Sequence, residues 1–299
     1  MTAGAAMNDR AEPCTLGFLI AEAERRLRAA GIVGAEREAR WLIESALGLT
    51  GSSQLLDRTR AVPKDAMAKI DEFVRRRAAR EPLQYILGTQ EFCGLEFEVN
   101  PTVLIPRPET EWLAQEVIRR LPQGEGATVV DVGTGSGCLA VTLARALPTV
   151  AIVATDFSVQ ALETAKRNAR RYGVDTGIRW LRGDLLAPLA GVCAMGTVTA
   201  IVANPPYIAE SEWSGLQPEV RYEPRMALIA GTKGTEVHER LLEEAIPYLV
   251  TGGLLLVELG QGQSAAVRAK VEAMRAYRRM EIVPDEAGID RFLIVERGT

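Results

Sequence analysis

The stretch Val129–Ala140, VVDVGTGSGCLA, decides the fold of this 299-residue chain. Its apolar start predicts a buried strand, its three glycines predict a tight loop, and its end predicts the first turn of a helix. Open α/β sheets bind ligands at such a junction, on the carboxyl edge of the sheet. Cys138 stands where a strict dinucleotide pattern needs its third glycine, so the glycines alone do not choose the cofactor.

Strands and helices alternate around this junction. Strands are predicted at 127–132, 151–156, 178–183, 198–204 and 254–260, and helices at 136–147, 158–172, 234–250 and 261–276. Such alternation predicts a mostly parallel sheet with helices on both faces. Two last strands, 279–284 and 290–296, lie too close in sequence for a crossover helix and must pair antiparallel. We therefore expect an α/β, Rossmann-like sheet of seven strands that ends in an antiparallel hairpin.

The N-terminal part of the chain has the pattern of a small helical module. Apolar residues at helical spacing predict one helix capped by Thr15 and stopped by Gly31, and two more over 35–47 and 64–80. The alternating segment FCGLEFEV at 92–99 predicts a hairpin. The predicted organisation is a flexible N-terminus at 1–14, a helical domain at 15–86, a hairpin and loop connector at 87–107 and the α/β domain at 108–299.

Composition excludes several classes of protein. The net charge is −4, and residues 91–299 hold 21 Lys+Arg against 27 Asp+Glu, so a chain that coats nucleic acid or a membrane surface is not expected. Its four cysteines are scattered, which predicts neither a disulfide scaffold nor a metal site: Cys14, Cys93, Cys138 and Cys193. No secretory signal and no apolar run of about 20 residues is present, so we predict a cytoplasmic protein with no membrane partner.

Two charged features are interpreted as solvated surface. The only histidine, His238, stands among Glu236, Glu239 and Arg240 in a helical pattern and is expected to be exposed. Arg75, Arg76, Arg77 and Arg80 form a basic cluster that is also expected to face solvent.

Four residues at predicted strand ends suggest the cofactor. Asp131 lies two positions before the glycine loop, where a carboxylate would repel a pyrophosphate but suits an ammonium and a sulfonium. Asp156 ends the next strand. Its separation along the sequence from the glycine loop is typical of an acid that accepts hydrogen bonds from ribose hydroxyls. Asp184 could accept from an adenine amino group, and Leu185 could contact the ring. Together they favour S-adenosylmethionine.

Asn204, Pro205, Pro206 and Tyr207 end the fourth strand, at the same edge of the sheet. The prolines hold the turn rigid, so that Asn204 Oδ1 and the Pro205 carbonyl can each accept one hydrogen of a planar NH2 group while the Tyr207 ring packs against it. Paired acceptors of this kind would hold a poorly nucleophilic nitrogen with its lone pair aimed at an electrophilic methyl. We therefore predict methyl transfer to an amide or an exocyclic amine.

The sequence NPPY at 204–207 resembles adenine-N6 DNA methyltransferases, some RNA methyltransferases and protein glutamine-N5 methyltransferases with a class I S-adenosylmethionine-dependent fold. Three further stretches resemble the protein glutamine methyltransferases that modify peptide-chain release factors. These are PTVLIPRPETEWL at 101–113, VRYEPRMAL at 220–228 and DEAGIDRFLIVER at 285–297. With the helical module, this resemblance extends over nearly the whole chain.

The resemblance implies a substrate and a set of site residues. The substrate would be the glutamine of the Gly-Gly-Gln motif in class 1 release factors, gripped by the helical domain, and the product N5-methylglutamine. By position, the cofactor would be held by Gly133, Thr134, Gly135, Ser136, Gly137 and Asp156, and Asn204 would contact it as well as the substrate. Arg107 and Glu109 would lie on a loop that borders the cofactor cleft. Leu185 departs from the tryptophan of some members, and leucine cannot stack on adenine as an indole does.

Other functions remain open at this point. A ribosomal-protein glutamine or an adenine N6 would need similar acceptors, although nucleic acid also needs phosphate contacts that the acidic C-terminal part does not favour. A non-catalytic tether is disfavoured by the coincidence of Asp131, the glycine loop, Asp156 and Asn204. An oxidoreductase is disfavoured by the terminal strand hairpin.

Overall fold

The computed structural model describes residues 15–49, 57–121 and 126–299. The N-terminus predicted to be flexible, 1–14, lies outside the described residues. The chain divides between Leu87 and Gly88 into two compact units. Within the described ranges, no helix combines the length and the apolarity needed to cross a bilayer.

The first unit is helical, as its apolar spacing predicts. Its helices are α1 (Leu16–Ala29), α2 (Ala35–Leu47), α3 (Lys64–Ala78) and the short α4 (Leu83–Leu87). The predicted cap is confirmed, because the Thr15 side chain accepts a hydrogen bond from the Phe18 N–H. One apolar core joins the four helices through residues such as Leu16, Leu42 and Ile70.

The basic cluster of this unit is not simply solvated. Arg77 is buried and donates from Nε to Glu38 Oε2 at 2.6 Å. Arg76 pairs with Glu81, and Arg80 donates from Nη1 to the Gly31 carbonyl. The expectation of a solvated face was therefore wrong for Arg77, because its long side chain crosses to the α2 carboxylate.

The second unit contains the predicted sheet. Its elements are β1 (Thr89–Phe92), β2 (Leu95–Glu98), α5 (Glu111–Arg120), β3 (Thr128–Val132), α6 (Cys138–Ala146), β4 (Ala151–Asp156), α7 (Val159–Arg171), β5 (Ile178–Arg182), β6 (Val198–Ala203), β7 (Ile208–Ala209), β8 (Ile229–Gly231), α8 (Glu236–Ala245), β9 (Leu249–Glu258), α9 (Ser264–Met274), β10 (Tyr277–Pro284) and β11 (Asp290–Arg297). The large sheet has the strand order β10-β11-β9-β6-β3-β4-β5.

The pairing of these strands confirms the predicted fold class. β3 pairs parallel with β4 and β6, β4 with β5, and β6 with β9. β11 pairs antiparallel with both β9 and β10, which is the predicted terminal hairpin. The small hairpin predicted over 92–99 is also present, as the antiparallel pair β1 and β2.

Register brings the ends of the parallel strands to one level. Val132 lies opposite Thr155 on one side and Ala203 on the other, and Ala203 lies opposite Val257. The next residue of each strand path therefore emerges at the same edge: Gly133, Asp156, Asn204 and Glu258. This edge carries the polar groups of the candidate site.

Apolar side chains fill both faces of the sheet. Val129, Leu113 of α5 and Leu139 of α6 belong to the core on one face. Val130 and Leu241 of α8 belong to the core on the other face. Because successive residues of a strand point to opposite faces, β3 serves both cores and is covered from both sides.

Two boundaries differ from the predicted ones. α8 ends at Ala245 rather than near 250, because Pro247 lacks the N–H that a continuing helix needs. β9 begins at Leu249 rather than at 254. Gly252, with φ +83°, lies at an irregularity in the pairing with β6. The early start of the strand could therefore not be predicted from the periodicity of its residues.

The prediction that His238 is exposed was wrong. His238 is buried, and its Nε2 donates to the Glu258 carbonyl at 2.8 Å, while burial lowers its pKa. The reason is its spacing, since His238, Leu241, Leu242 and Ala245 occupy one stripe of α8 that packs on the sheet. Its charged neighbours lie on the other faces of the same helix.

Candidate active site

The glycine loop that follows β3 is anchored to the end of β4. The N–H groups of Gly133 and Thr134 both donate to the Thr155 carbonyl at 2.9 Å. The Gly135 N–H donates to Asp156 Oδ2 at the same distance. Gly133 and Gly135 adopt φ values of +72° and +55°, a backbone that favours glycine, and both line a cleft at the carboxyl edge.

Asp131 lies behind the glycine loop and not in the cleft. Its Oδ2 accepts from Thr134 Oγ1 at 2.6 Å and from the Ala140 N–H at 3.1 Å, which ties the loop to the start of α6. Its Oδ1 is buried and has no partner within the described structure. Burial raises the pKa of this carboxyl to about 7. One acceptor oxygen therefore remains unsatisfied at the base of the loop.

Asp156 lines the cleft at the end of β4. Its two oxygens accept from the N–H groups of Gly135 and Ser158, at 2.9 and 2.8 Å. Burial raises its pKa, and these two backbone hydrogen bonds oppose the shift. Each oxygen keeps a second lone pair, so the carboxylate can still accept from hydroxyl groups of a ligand.

Asp184 and Leu185 line the cleft after β5. Asp184 Oδ2 accepts from Arg240 Nη2 at 2.8 Å, an ion pair that the sequence did not predict. Leu185 has a φ of +45°, unusual for a residue with a branched side chain, and its carbonyl accepts from Thr155 Oγ1 at 3.0 Å. This hydrogen bond helps to hold Leu185 in its strained position beside the cleft.

Two exposed apolar side chains of the cleft were missed by the sequence analysis. Phe157 is 59% exposed and Met226 is 52% exposed, and both line the cleft. Large apolar groups left in water at a cleft are suited to the flat face of a ligand ring. The available signal for Phe157 was its position directly after the acid that ends β4.

The turn at 204–207 forms the border between this cleft and a smaller cavity. Asn204 and Pro206 line the cleft, and Asn204 also lines the smaller cavity together with Arg107, Tyr207 and apolar side chains. Asn204 Oδ1 is buried and has no partner within the described structure. Pro205 is buried behind the turn. Asn204 Oδ1 is therefore an acceptor without a partner among the described residues, on the side chain that borders both the cleft and the smaller cavity.

The other end of the Asn204 amide is held by two residues that the sequence analysis did not select. Asn204 Nδ2 donates to Thr110 Oγ1 at 2.9 Å, and Thr110 Oγ1 donates to Glu258 Oε2 at 2.6 Å. Thr110 and Glu258 are both buried. The sequence does contain a signal for Glu258, because this residue ends an apolar strand. The same kind of position led to the prediction of Asp131 and Asp156 as site residues.

Tyr207 is held in place by its backbone. Its carbonyl accepts from Gln263 Nε2 at 2.7 Å, and the Gln263 Oε1 accepts from the Gly260 N–H at 2.9 Å. Burial raises the pKa of the Tyr207 phenol to about 12. The phenol therefore stays protonated near neutral pH and supplies an aromatic wall rather than a base.

A buried carboxylate joins the loop at 101–110 to the segment at 220–228. Glu223 accepts from the Ile105 N–H at 2.9 Å and pairs with Arg107. Arg107 thus faces the smaller cavity and this carboxylate, and it does not line the larger cleft. Two of the three stretches that carry the family resemblance, 101–113 and 220–228, are connected to each other here.

Replacing Glu223 with alanine is expected to lower the free energy of unfolding by about 2 to 4 kcal/mol, because the buried N–H of Ile105 and the Arg107 guanidinium lose their acceptor. Urea denaturation measures this loss. The matched control is Glu210→Ala, which removes an exposed ion pair with Arg225 and should cost about 0 to 1 kcal/mol. Equal losses for the two variants would contradict the structural role of Glu223.

The predicted cofactor residues divide into two groups. Six of them line the larger cleft: Gly133, Gly135, Asp156, Asp184, Leu185 and Asn204. The others lie behind it or beside it: Asp131, Thr134, Ser136, Gly137 and Arg107. Thr134 and Ser136 are buried and support the loop, since Ser136 accepts from Asn168 through its carbonyl. Gly137 packs against Ala165.

Comparison with known proteins identifies the family. Residues 19–88 match the PrmC N-terminal domain, and residues 111–216 match the methyltransferase small domain. A release factor glutamine methyltransferase of Moorella thermoacetica is 42% identical over 283 residues, which cover 95% of this chain and 99% of the relative. The chain belongs to the release factor glutamine methyltransferase family. A second relative of that name, from Geobacter sulfurreducens, is 42% identical over 87% of this chain and 89% of its own.

Solved structures agree on the fold. A methyltransferase from Pyrococcus furiosus superposes with a TM-score of 0.52 at 21% identity, over 75% of this chain and 99% of its own. Membership of the release factor glutamine methyltransferase family makes the chain an S-adenosylmethionine-dependent methyltransferase.

The residues of the cleft fit this cofactor. A Cβ added to Gly133 would meet no atom of residues 15–49, 57–121 or 126–299 within 4 Å, so the loop leaves open space at the position where a ligand would approach its backbone. Asp156 offers charged acceptors suited to ribose hydroxyls, and Phe157 and Leu185 offer apolar surface suited to a base. The unsatisfied oxygens of Asp131 and Asn204 lie at the base of the loop and at the turn.

Proposed function

We propose that this release factor glutamine methyltransferase acts on class 1 peptide-chain release factors, at the side-chain amide nitrogen (N5) of the glutamine in their Gly-Gly-Gln motif. The observation that carries the proposal is the position of Asn204, which borders both the cofactor cleft and the smaller cavity and whose Oδ1 has no hydrogen-bond partner among the described residues. An NH2 group placed in the smaller cavity would meet this acceptor on its way to the cleft.

The site selects the nitrogen by geometry. An amide NH2 has two hydrogens in the plane of its carbonyl, and Asn204 Oδ1 with the Pro205 carbonyl would accept one each. Tyr207 would cover the flat face of the amide, and Pro206 would keep the turn rigid. Two glycines before the glutamine allow its side chain to project into a narrow space.

The residues present need not supply a strong base. Bound S-adenosylmethionine provides an electrophilic methyl group on a positively charged sulfur. With both N–H groups held by Asn204 and Pro205, the nitrogen lone pair lies out of the amide plane, on the side open to attack. The alkylated nitrogen is strongly acidic, so its extra proton can leave to water or to Asn204.

Acceptor competition tests the proposal. Purified protein and S-adenosylmethionine labelled in its methyl group are incubated with a class 1 release factor, with its Gly-Gly-Ala variant, with ribosomal protein and with duplex DNA. Label is expected in the unaltered release factor alone. Label in DNA would instead support an adenine acceptor, and label in ribosomal protein would support another glutamine.

Replacing Asp156 with alanine is expected to weaken cofactor binding by about 10- to 100-fold, because the ribose would lose a charged acceptor and the Gly135 N–H its partner. Isothermal titration calorimetry with S-adenosylhomocysteine measures the change. Asp290→Ala, at an exposed position at the start of β11, is the control and should bind as the wild type does. Unchanged affinity in Asp156→Ala would remove this residue from the proposed site.

We assign two further roles by the same reasoning. The helical domain at 15–86 is proposed to recognise the release factor, since a protein substrate needs a larger contact surface than the small cavity beside Asn204 and Tyr207 offers. The protein is proposed to act in the cytoplasm, where release factors are used.

A further inference from the structure

We propose that Thr110 and Glu258 are positioning residues that orient the Asn204 amide, so that Oδ1 rather than Nδ2 faces the substrate nitrogen. The inference rests on the proposed function, because it concerns how an NH2 substrate is accepted. It is carried by a continuous pair of hydrogen bonds from Asn204 Nδ2 to Thr110 Oγ1 and from Thr110 Oγ1 to Glu258 Oε2, at 2.9 and 2.6 Å.

The direction of these bonds follows from the number of hydrogens available. The Thr110 hydroxyl has one hydrogen, and an ionised Glu258 carboxylate can only accept it. Thr110 Oγ1 must then be an acceptor toward Asn204, which requires the Asn204 NH2 group on that side. The amide is planar, so its Oδ1 is turned to the other side, where no described residue meets it.

The opposite orientation would prevent catalysis. With Nδ2 toward the substrate, a donor of Asn204 would face the two donors of a glutamine NH2 group, and no hydrogen bond could form. Asn204 can adopt either orientation at almost no steric cost, since amide oxygen and nitrogen have similar size. The buried pair Thr110 and Glu258 favours one of the two amide orientations, because Thr110 Oγ1 accepts from Asn204 Nδ2.

We call the hydrogen-bonded series Asn204, Thr110 and Glu258 the relay. Charged groups around Glu258 act on it. Burial has the largest effect and raises the pKa of Glu258 to about 7, against the hydrogen bond from Thr110, which lowers it. Among the charged neighbours, Arg291 and Arg107 lower this pKa and Glu109 raises it. Two further titratable groups interact with Glu258: Tyr207, whose phenol stays protonated, and His238, which donates to the Glu258 carbonyl and whose pKa is lowered by burial. A protonated Glu258 could donate to Thr110, and the Thr110 hydrogen would then favour the inactive orientation of Asn204.

Exchange of one hydroxyl tests the relay. Thr110→Val keeps the shape of the side chain and removes its hydrogen bonds, whereas Thr110→Ser keeps the hydroxyl. We expect Thr110→Val to lower kcat for release factor methylation by about 10- to 100-fold with little change in KM, since most contacts of a protein substrate lie outside the cavity. Thr110→Ser should restore most of kcat. The matched control is Thr142→Val on α6, which removes a buried hydroxyl that bonds to no other group in the part of the chain that the structure describes.

A second measurement is independent of catalysis. In protein labelled with 15N-asparagine, the Asn204 side-chain signals are assigned by their loss in Asn204→Ala. Hydrogen exchange of this NH2 group should be slow in the wild type and in Thr110→Ser, and fast in Thr110→Val. Equal exchange rates in all three proteins would overturn the relay.

The outcomes separate the relay from the proposed function. If the wild type modifies no release factor but the exchange rates differ as expected, the orientation of Asn204 stands and the substrate assignment fails. If the wild type modifies the release factor and Thr110→Val does so at the same kcat, the relay fails and the substrate assignment stands.

The pH profile gives a third readout. At saturating cofactor, kcat is expected to fall as the pH drops below about 7, because Glu258 gains a proton and reverses the relay. Glu258→Gln has no carboxyl group that can gain a proton, so this limb of the profile should disappear in that variant. A profile that is the same in the wild type and in Glu258→Gln would contradict the role of Glu258.

Discussion

Replacing Asn204 with alanine is expected to lower kcat by about 100- to 1,000-fold, the usual effect of removing a preorganised hydrogen-bonding group from a catalytic site. Asn204 supplies the unsatisfied acceptor at the junction of the two cavities, and no other side chain among the described residues lines both with a free amide oxygen. Steady-state methylation of a release factor measures the change.

Two controls show whether the loss is catalytic. Asn204→Ala should bind S-adenosylhomocysteine within about tenfold of the wild type, because Asp156 and the glycine loop remain. Its urea denaturation should show a cooperative transition like that of the wild type. A variant that folds, binds and still methylates at the wild-type kcat would remove Asn204 from catalysis.

Replacing Gly137 with alanine is expected to lower the free energy of unfolding by about 2 to 4 kcal/mol. Gly137 has a φ of +82°, and an added Cβ would lie 2.9 Å from the Ala165 Cβ and 3.1 Å from the Ala165 Cα. The new methyl group would therefore meet both an unfavourable backbone conformation and α7, whose backbone cannot easily move. Urea denaturation followed by circular dichroism measures the loss.

Two other glycines provide controls for this prediction. Gly177 has no positive φ and open space around it, so Gly177→Ala should change the free energy of unfolding by no more than about 0.5 kcal/mol. Gly133 combines a positive φ with open space toward the cleft, so Gly133→Ala should affect cofactor affinity more than stability. Gly137→Ala with wild-type stability would show that α6 and α7 do not pack as closely as described.

Much of the fold could be predicted because it depends on local pattern. Apolar strands that alternate with amphipathic helices predict a parallel sheet, and parallel strands bring their carboxyl ends to one edge. The clustering of Gly133, Asp156 and Asn204 around one cleft edge follows from that rule alone. Local pattern also placed Thr15 correctly as a helix cap.

The remaining features depend on contacts between distant parts of the chain. Thr110 and Glu258 are separated by 148 positions, and Glu223 and Arg107 by 116. Neither pair can therefore be predicted from the periodicity of the sequence. His238 was misjudged because its charged neighbours in sequence outweighed its place on the apolar stripe of α8. Asp131 was assigned to the ligand from its position, whereas both hydrogen bonds that its side chain accepts within the described residues hold the loop.

The most direct test of the central claim is tandem mass spectrometry of a class 1 release factor after incubation with this protein and S-adenosylmethionine. The predicted result is one methyl group on the glutamine of the Gly-Gly-Gln peptide, present with the wild type and lost with Asn204→Ala. A methyl group on another residue, or an unmodified peptide beside methylated DNA, would contradict the assignment of a release factor glutamine as the acceptor.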